Sequence, residues 1–157
     1  MGGIEMVGKL VSSSRGATYY WVERNKNPDA PYIVFTHGIA ANHHLFDKQL
    51  PYFQWNYHMI FWDLPLHGRS RPYHDFSYAN AAEELKAILD REKVDNVILV
   101  GHGIGGYVCQ ECTARWPEKV QAFVGVGAMP LGVSFYSAAD LKGLRKVPMH
   151  TKRLPEK

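Results

Sequence analysis

Val97-Ile98-Leu99-Val100-Gly101-His102-Gly103-Ile104-Gly105-Gly106 is the stretch whose reading decides the fold. Four branched apolar residues in a row predict a buried strand, and three glycines among the next five residues predict a tight turn. The following residues, about Tyr107 to Arg115, predict a helix. Strand, glycine turn and helix in this order occur in two kinds of site. The letters Gly101-x-Gly103-x-x-Gly106 match G-x-G-x-x-G, the turn that lets a pyrophosphate rest on a helix N-terminus. That reading also asks for an acidic residue at the end of the next strand. Here Ala122 to Val126 runs into Gly127, Ala128 and Met129, so the carboxylate is missing and a nucleotide site ranks third. A rise in melting temperature with NAD or a nucleoside phosphate would restore it.

Reading outward, strand and crossover alternate on both sides. Ile4–Val11 and Thr18–Glu23 are β-prone runs separated by Ser12 to Gly16, the chemistry of an antiparallel hairpin. Tyr32–Thr36 is an unbroken apolar run that stops at His37-Gly38, and Tyr57–Trp62 is another that stops at Asp63. Leu45, Phe46, Leu50 and Phe53 recur at helical spacing between them. Ala79–Glu92 predicts an amphipathic helix with Ala82, Leu85, Ile88 and Leu89 on one side. Ala122–Val126 repeats the buried-strand pattern. Continuous apolar strands separated by helices mark a parallel sheet covered on both faces. The expected fold is α/β: a doubly wound sheet of about six strands behind an antiparallel opening hairpin.

The composition fits a globular chain. It has 157 residues, 46% hydrophobic and 21% charged, enough for one domain with a real core. No apolar run approaches the length of a membrane span, and the first residues lack a signal-peptide layout, which predicts a cytoplasmic protein with no membrane partner. The net charge of +3 divides unevenly. Residues 1–141 carry 12 Lys and Arg against 14 Asp and Glu, whereas residues 142–157 carry six against one. The basic excess therefore belongs to a tail without aromatic residues after Tyr136, which argues against a nucleic-acid partner. Cys109 and Cys112 lie one helical turn apart and predict buried thiols rather than a disulfide or half of a zinc site.

Four segments together carry a family resemblance: Phe35-Thr36-His37-Gly38, Trp62-Asp63-Leu64-Pro65-Leu66-His67-Gly68-Arg69-Ser70, Val97-Ile98-Leu99-Val100-Gly101-His102 and Arg115-Trp116-Pro117-Glu118-Lys119-Val120. Their order and spacing resemble the α/β-hydrolase family, in particular its esterase-like and acyl-hydrolase-like members. In that reading residues 101–105 are G-x-S-x-G with the serine replaced, so Gly103 stands at the nucleophile position of the elbow. The resemblance implies that the backbone N–H groups of Ile39 and Ile104 are the oxyanion donors, and that His37, Gly38 and His102 lie around the substrate. It implies no cofactor and no metal; His37, His43 and His44 are close in sequence but lack a ligand spacing.

The departures from the family shape the functional expectation. Gly103 cannot form an acyl-enzyme. The family order places the acid and the histidine after the sixth strand, where only Asp140, Glu156 and His150 are available, and none of them is assigned. Ser70 belongs to the H-G-R-S turn and Asp63 caps it; neither is expected in catalysis. Residues 1–128 are read as the N-terminal part of the hydrolase core, and 129–157 as the start of a lid or a loosely ordered basic tail. The expected function is that of a hydrolase of small carboxylic esters, amides or thioesters, inactive in this chain. The alternative is a non-catalytic module binding a carboxylate or carbonyl ligand. An open apolar edge at Ala122–Val126 further predicts self-association or a complementary C-terminal part as partner.

Overall fold

A computed structural model describes residues 6–130, and Asp140, His150, Glu156 and the basic tail lie outside that range. Six strands form one mixed sheet: β1 (Gly8–Ser13), β2 (Gly16–Glu23), β3 (Tyr32–Thr36), β4 (His58–Trp62), β5 (Val97–His102) and β6 (Val120–Val126). Their spatial order is β1-β2-β4-β3-β5-β6. β1 pairs antiparallel with β2 and β2 antiparallel with β4, while β4, β3, β5 and β6 run parallel. The expected hairpin is present, but its turn is tighter than the serine-rich stretch suggested. Ser12 and Ser13 pair with Ala17 and Gly16, which leaves only Ser14-Arg15 at the corner.

Three helices make the crossovers: α1 (Leu50–Phe53), α2 (Tyr78–Arg91) and α3 (Ile104–Arg115). Ser77 starts α2 by accepting the Asn80 N–H on its side-chain oxygen. The predicted apolar stripe of α2, Ala82, Leu85, Ile88 and Leu89, is fully buried. It packs with Val97 and Leu99 of β5 and with Val108, Cys109 and Cys112 of α3 to form the larger core. Both cysteines are free and buried, and burial pushes each thiol up to about 12. On the other face Ile33, Phe35, Met59 and Phe61 pack with Phe46 from the short turn before α1.

Two charged clusters dock the hairpin onto α2. Glu84 accepts from Ser13 Oγ at 2.7 Å, Tyr73 Oη at 2.9 Å and Arg15 Nη2 at 3.1 Å. Glu92 accepts from Tyr20 Oη at 2.6 Å, Lys9 Nζ at 2.8 Å and Arg24 Nη2 at 2.6 Å. A buried carboxylate is tolerated only when its oxygens are matched in this way.

β6 departs from the buried-strand pattern read in its sequence. None of its residues is buried, and Val124 and Val126 are each 48% exposed. Its place explains this: among the described residues β5 flanks it on one side and no strand on the other. No helix among the described residues is long and apolar enough to cross a membrane.

Candidate functional site

The C-terminal ends of β3, β4 and β5 meet at one edge of the sheet, the place where α/β folds put their chemistry. β5 ends at His102, Gly103 turns the chain, and α3 begins at Ile104 without an intervening loop. The turn is sharp because Gly103 adopts φ 54° and ψ −124°, a region almost reserved for glycine. Its N–H donates to Val126 O at 2.9 Å and its carbonyl accepts from Gly106 N at 2.9 Å.

The neighbouring glycines permit the approach of three chain segments. A β-carbon on Gly105 would lie 2.3 Å from His37 O and 2.5 Å from Thr36 O, so α3 can lean on the end of β3 only if this residue has no side chain. A β-carbon on Gly38 would lie 2.6 Å from His102 Nδ1. At Gly103 the situation is reversed: a β-carbon would meet only Gly38 Cα, at 3.8 Å. The position that would carry a nucleophile therefore has room for a side chain and faces the loop after β3.

That loop is held from beneath by His37. The imidazole is fully buried; its Nε2 accepts from Leu64 N at 2.9 Å, so Nδ1 carries the hydrogen and donates to Gly38 O at 2.7 Å. Burial outweighs that hydrogen bond and lowers its pKa to about 4, which keeps the ring neutral. His37 thus braces Gly38 from inside rather than presenting a ring to solvent. Ile39 follows at the surface, 69% exposed, and Ala40 turns the chain with φ 56°. Ile104, at the first position of α3, contributes an N–H that has no partner within its helix, at the positive end of the helix dipole. Gly38, Ile39, His102, Gly103 and Ile104 are therefore brought to one edge by β3 and β5. His102 also lines an apolar groove of about 540 Å³ with Phe35, Phe46, Val100, Val124 and Val126.

Asp63 at the end of β4 fixes the remaining loops. Its buried carboxylate accepts from Arg69 N, His43 N and His43 Nδ1, each at 2.8 Å. These donors hold its pKa below the usual range although burial alone would raise it. Gly68, at φ 49°, is required beside it, since a β-carbon there would overlap Asp63 Oδ2. Ser70 is buried, accepts from Tyr19 N at 2.9 Å and donates to Asp63 O at 2.7 Å, so its hydroxyl is committed to the turn. Sequence reasoning found Asp63 as the cap of the following turn but not its reach back to His43. No group of three His, Cys, Asp or Glu among the described residues could hold a metal ion.

Comparison with known proteins agrees with this architecture. A family profile described as alpha/beta hydrolase fold matches residues 31–157. The Bacillus subtilis (strain 168) protein named Uncharacterized hydrolase YugF is 31% identical over 105 residues, which is 66% of this chain and 38% of the relative. The pimeloyl-[acyl-carrier protein] methyl ester esterase of Neisseria meningitidis (strain H44/76) is 34% identical over 101 residues, covering 64% of this chain and 38% of the relative. Among solved structures, Est816, described as an N-acyl homoserine lactone degrading enzyme, superposes with a TM-score of 0.71 at 26% identity, covering 78% of this chain and 49% of Est816. The chain thus spans about two fifths of the length of these curated relatives. With a family profile that matches residues 31–157 and a solved hydrolase that superposes on most of the chain, the chain belongs to the α/β-hydrolase fold family.

Proposed function

We propose that this chain derives from hydrolases of small carboxylic esters, amides or thioesters and is itself inactive, because no nucleophile stands at its elbow. The observation that carries the reading is Gly103: its backbone keeps the elbow conformation, with space toward Gly38, and no atom is there to attack a carbonyl. An acyl-enzyme needs a side-chain oxygen, sulfur or carboxylate at that point. The similarity to a pimeloyl-[acyl-carrier protein] methyl ester esterase supports a carboxylic ester as the substrate class. Purified protein is expected to hydrolyse p-nitrophenyl acetate and butyrate no faster than buffer does. Saturable turnover that survives changes around the elbow would overturn the reading.

A second reading, a non-catalytic binding module for carboxylates or carbonyls, is favoured by one feature. The polar groups proposed to hold an oxyanion, the N–H groups of Ile39 and Ile104, are backbone atoms and do not depend on a nucleophile. Titration with butyrate should then move the amide resonances of Ile39 and Ile104, and flat shifts at millimolar ligand remove this reading. Self-association through β6, or pairing with a complementary C-terminal part, is proposed from the exposed Val124 and Val126. Sedimentation at micromolar concentration tests it, and a monomer with strongly protected amides over residues 120–126 argues against it.

A further inference from the structure

A second polar pocket lies away from the elbow, where the loop after β3 crosses β2. It is lined by Met6, Trp21, His43, His44 and Arg69, with a volume of about 370 Å³. Its wall is rigid. The Trp21 ring stacks on His43 with centroids 3.6 Å apart and planes 19° from parallel, and the His44 ring centroid lies 4.0 Å from that of His43, tilted by 36°. His43 cannot rotate freely, because its N–H and its Nδ1 are both bonded to Asp63.

Two donors in this pocket have no acceptor among the described residues. Trp21 is only 6% exposed, and its indole Nε1 makes no hydrogen bond. Arg69 forms no ion pair; its guanidinium rests on the Tyr19 ring, 4.8 Å from the centroid, which holds it in place. The two converge at Gly8, where a β-carbon would lie 3.1 Å from Trp21 Nε1 and 3.6 Å from Arg69 Nη1. The Trp21 side chain is buried but its Nε1 is reachable by solvent, so a ligand that accepts from it takes the place of water. Asp63, whose buried carboxylate accepts from the Arg69 backbone N–H and from two donors of His43, forms no ion pair with the Arg69 guanidinium. Arg69 is thus the unpaired charge of the pocket among the described residues, while His44 beside it is hydrogen-bonded to the Asp47 carboxylate.

We propose that this pocket binds the carboxylate of a small aromatic or branched organic acid. One oxygen accepts from Trp21 Nε1 and the other from the Arg69 guanidinium, and the apolar part lies against Met6 and the indole. Planar carboxylates suit the guanidinium fork. The site is separate from the elbow and does not depend on the elbow's reading.

The test is a titration of the whole chain with sodium benzoate at constant ionic strength, followed by the Trp21 indole N–H resonance and by calorimetry. Benzyl alcohol and inorganic phosphate serve as comparison ligands. Benzoate is expected to shift the Trp21 indole resonance saturably at millimolar concentration, with benzyl alcohol at least tenfold weaker. Arg69→Gln, which keeps the backbone N–H to Asp63, should weaken benzoate at least tenfold, and Trp21→Phe, which keeps a stacking ring, should weaken it severalfold. Equal binding of benzyl alcohol, stronger binding of phosphate, unchanged affinity in Arg69→Gln, or shifts confined to Ile39 and Ile104 would each overturn the assignment.

Discussion

Two junctions at the same edge of the sheet are built on opposite principles. The β5–α3 elbow is shaped by glycines: Gly105 lets α3 meet the backbone of β3, Gly38 makes room for the His102 ring, and Gly103 supplies the torsion of the turn. The β3 and β4 ends are shaped by side chains: His37, Asp63 and Ser70 are buried and tie the loops together through hydrogen bonds. The first junction should be intolerant of added volume at Gly105 and tolerant of it at Gly103. The second should respond to proton uptake and to loss of hydrogen-bonding groups.

The largest effect is expected at Gly105. An alanine there would press against the carbonyl oxygens of Thr36 and His37, which are backbone and cannot step aside, so Gly105→Ala should cost about 3 kcal/mol or more by urea unfolding. A stability equal to the native chain's would show that α3 can lift off β3 and that the glycine packing is not essential.

The side-chain junction should weaken with acid in two windows. His37 has its folded pKa depressed to about 4 by burial, below the unfolded value of about 6.5. Keeping it neutral therefore costs nothing above pH ~6.5, and its contribution is lost as pH falls from there toward ~4, on the order of 3 kcal/mol in full. Asp63 has its pKa lowered from a normal value near 4, so its contribution is present above that pH and lost only below it. Stability measured from pH 7 to 4.5 should fall in the native chain and stay flatter in His37→Gln. Identical slopes would mean that another group takes up the proton.

Asp63→Asn should cost roughly 2 kcal/mol at pH 7, because an amide can match at most part of the three N–H donors that converge on the carboxylate. Denaturant midpoints measure it, and a loss under a few tenths of a kcal/mol would show that solvent replaces the acceptor easily.

The smallest effect is expected at Gly103. A serine side chain has space there, and only the left-handed backbone opposes it, so Gly103→Ser should cost roughly 1 kcal/mol. A loss as large as that of Gly105→Ala would erase the distinction between glycine kept for space and glycine kept for torsion.

The strands at the centre of the sheet were legible because a run such as Met59-Ile60-Phe61-Trp62 has no polar face to offer water, and β4 is buried throughout. β6 has a similar run, yet its exposure depends on which neighbour lies beside it, and an apolar pattern carries no information about that. The elbow was legible because local turn chemistry and the glycines are contiguous in sequence. The clasp of Asp63 on His43 was not, since the two are 20 residues apart and meet only because β3 and β4 are adjacent. The same holds for Trp21 and Arg69, whose convergence at Gly8 depends on the docking of the hairpin. Glycine positions can be read locally, whereas side-chain networks must wait for the sheet order.

The docking of that hairpin also has a consequence in time. Its ties to α2 join residues far apart in the chain: Lys9 to Glu92 spans 83 positions, and Ser13 to Glu84 spans 71. Closing loops of that length is slow relative to forming a helix or a two-residue turn, so these bonds should form after the parallel strands and α2 have come together. Arg15→Ala, which removes the guanidinium from Glu83, Glu84 and Tyr73, should then accelerate unfolding while leaving the folding rate nearly unchanged. Stopped-flow chevrons separate the two limbs, and a slowed folding limb would place the hairpin in the nucleus instead. The first two strands in the sequence would then be among the last to settle in the sheet, holding their edge of the fold by charge pairs that break first on the way out.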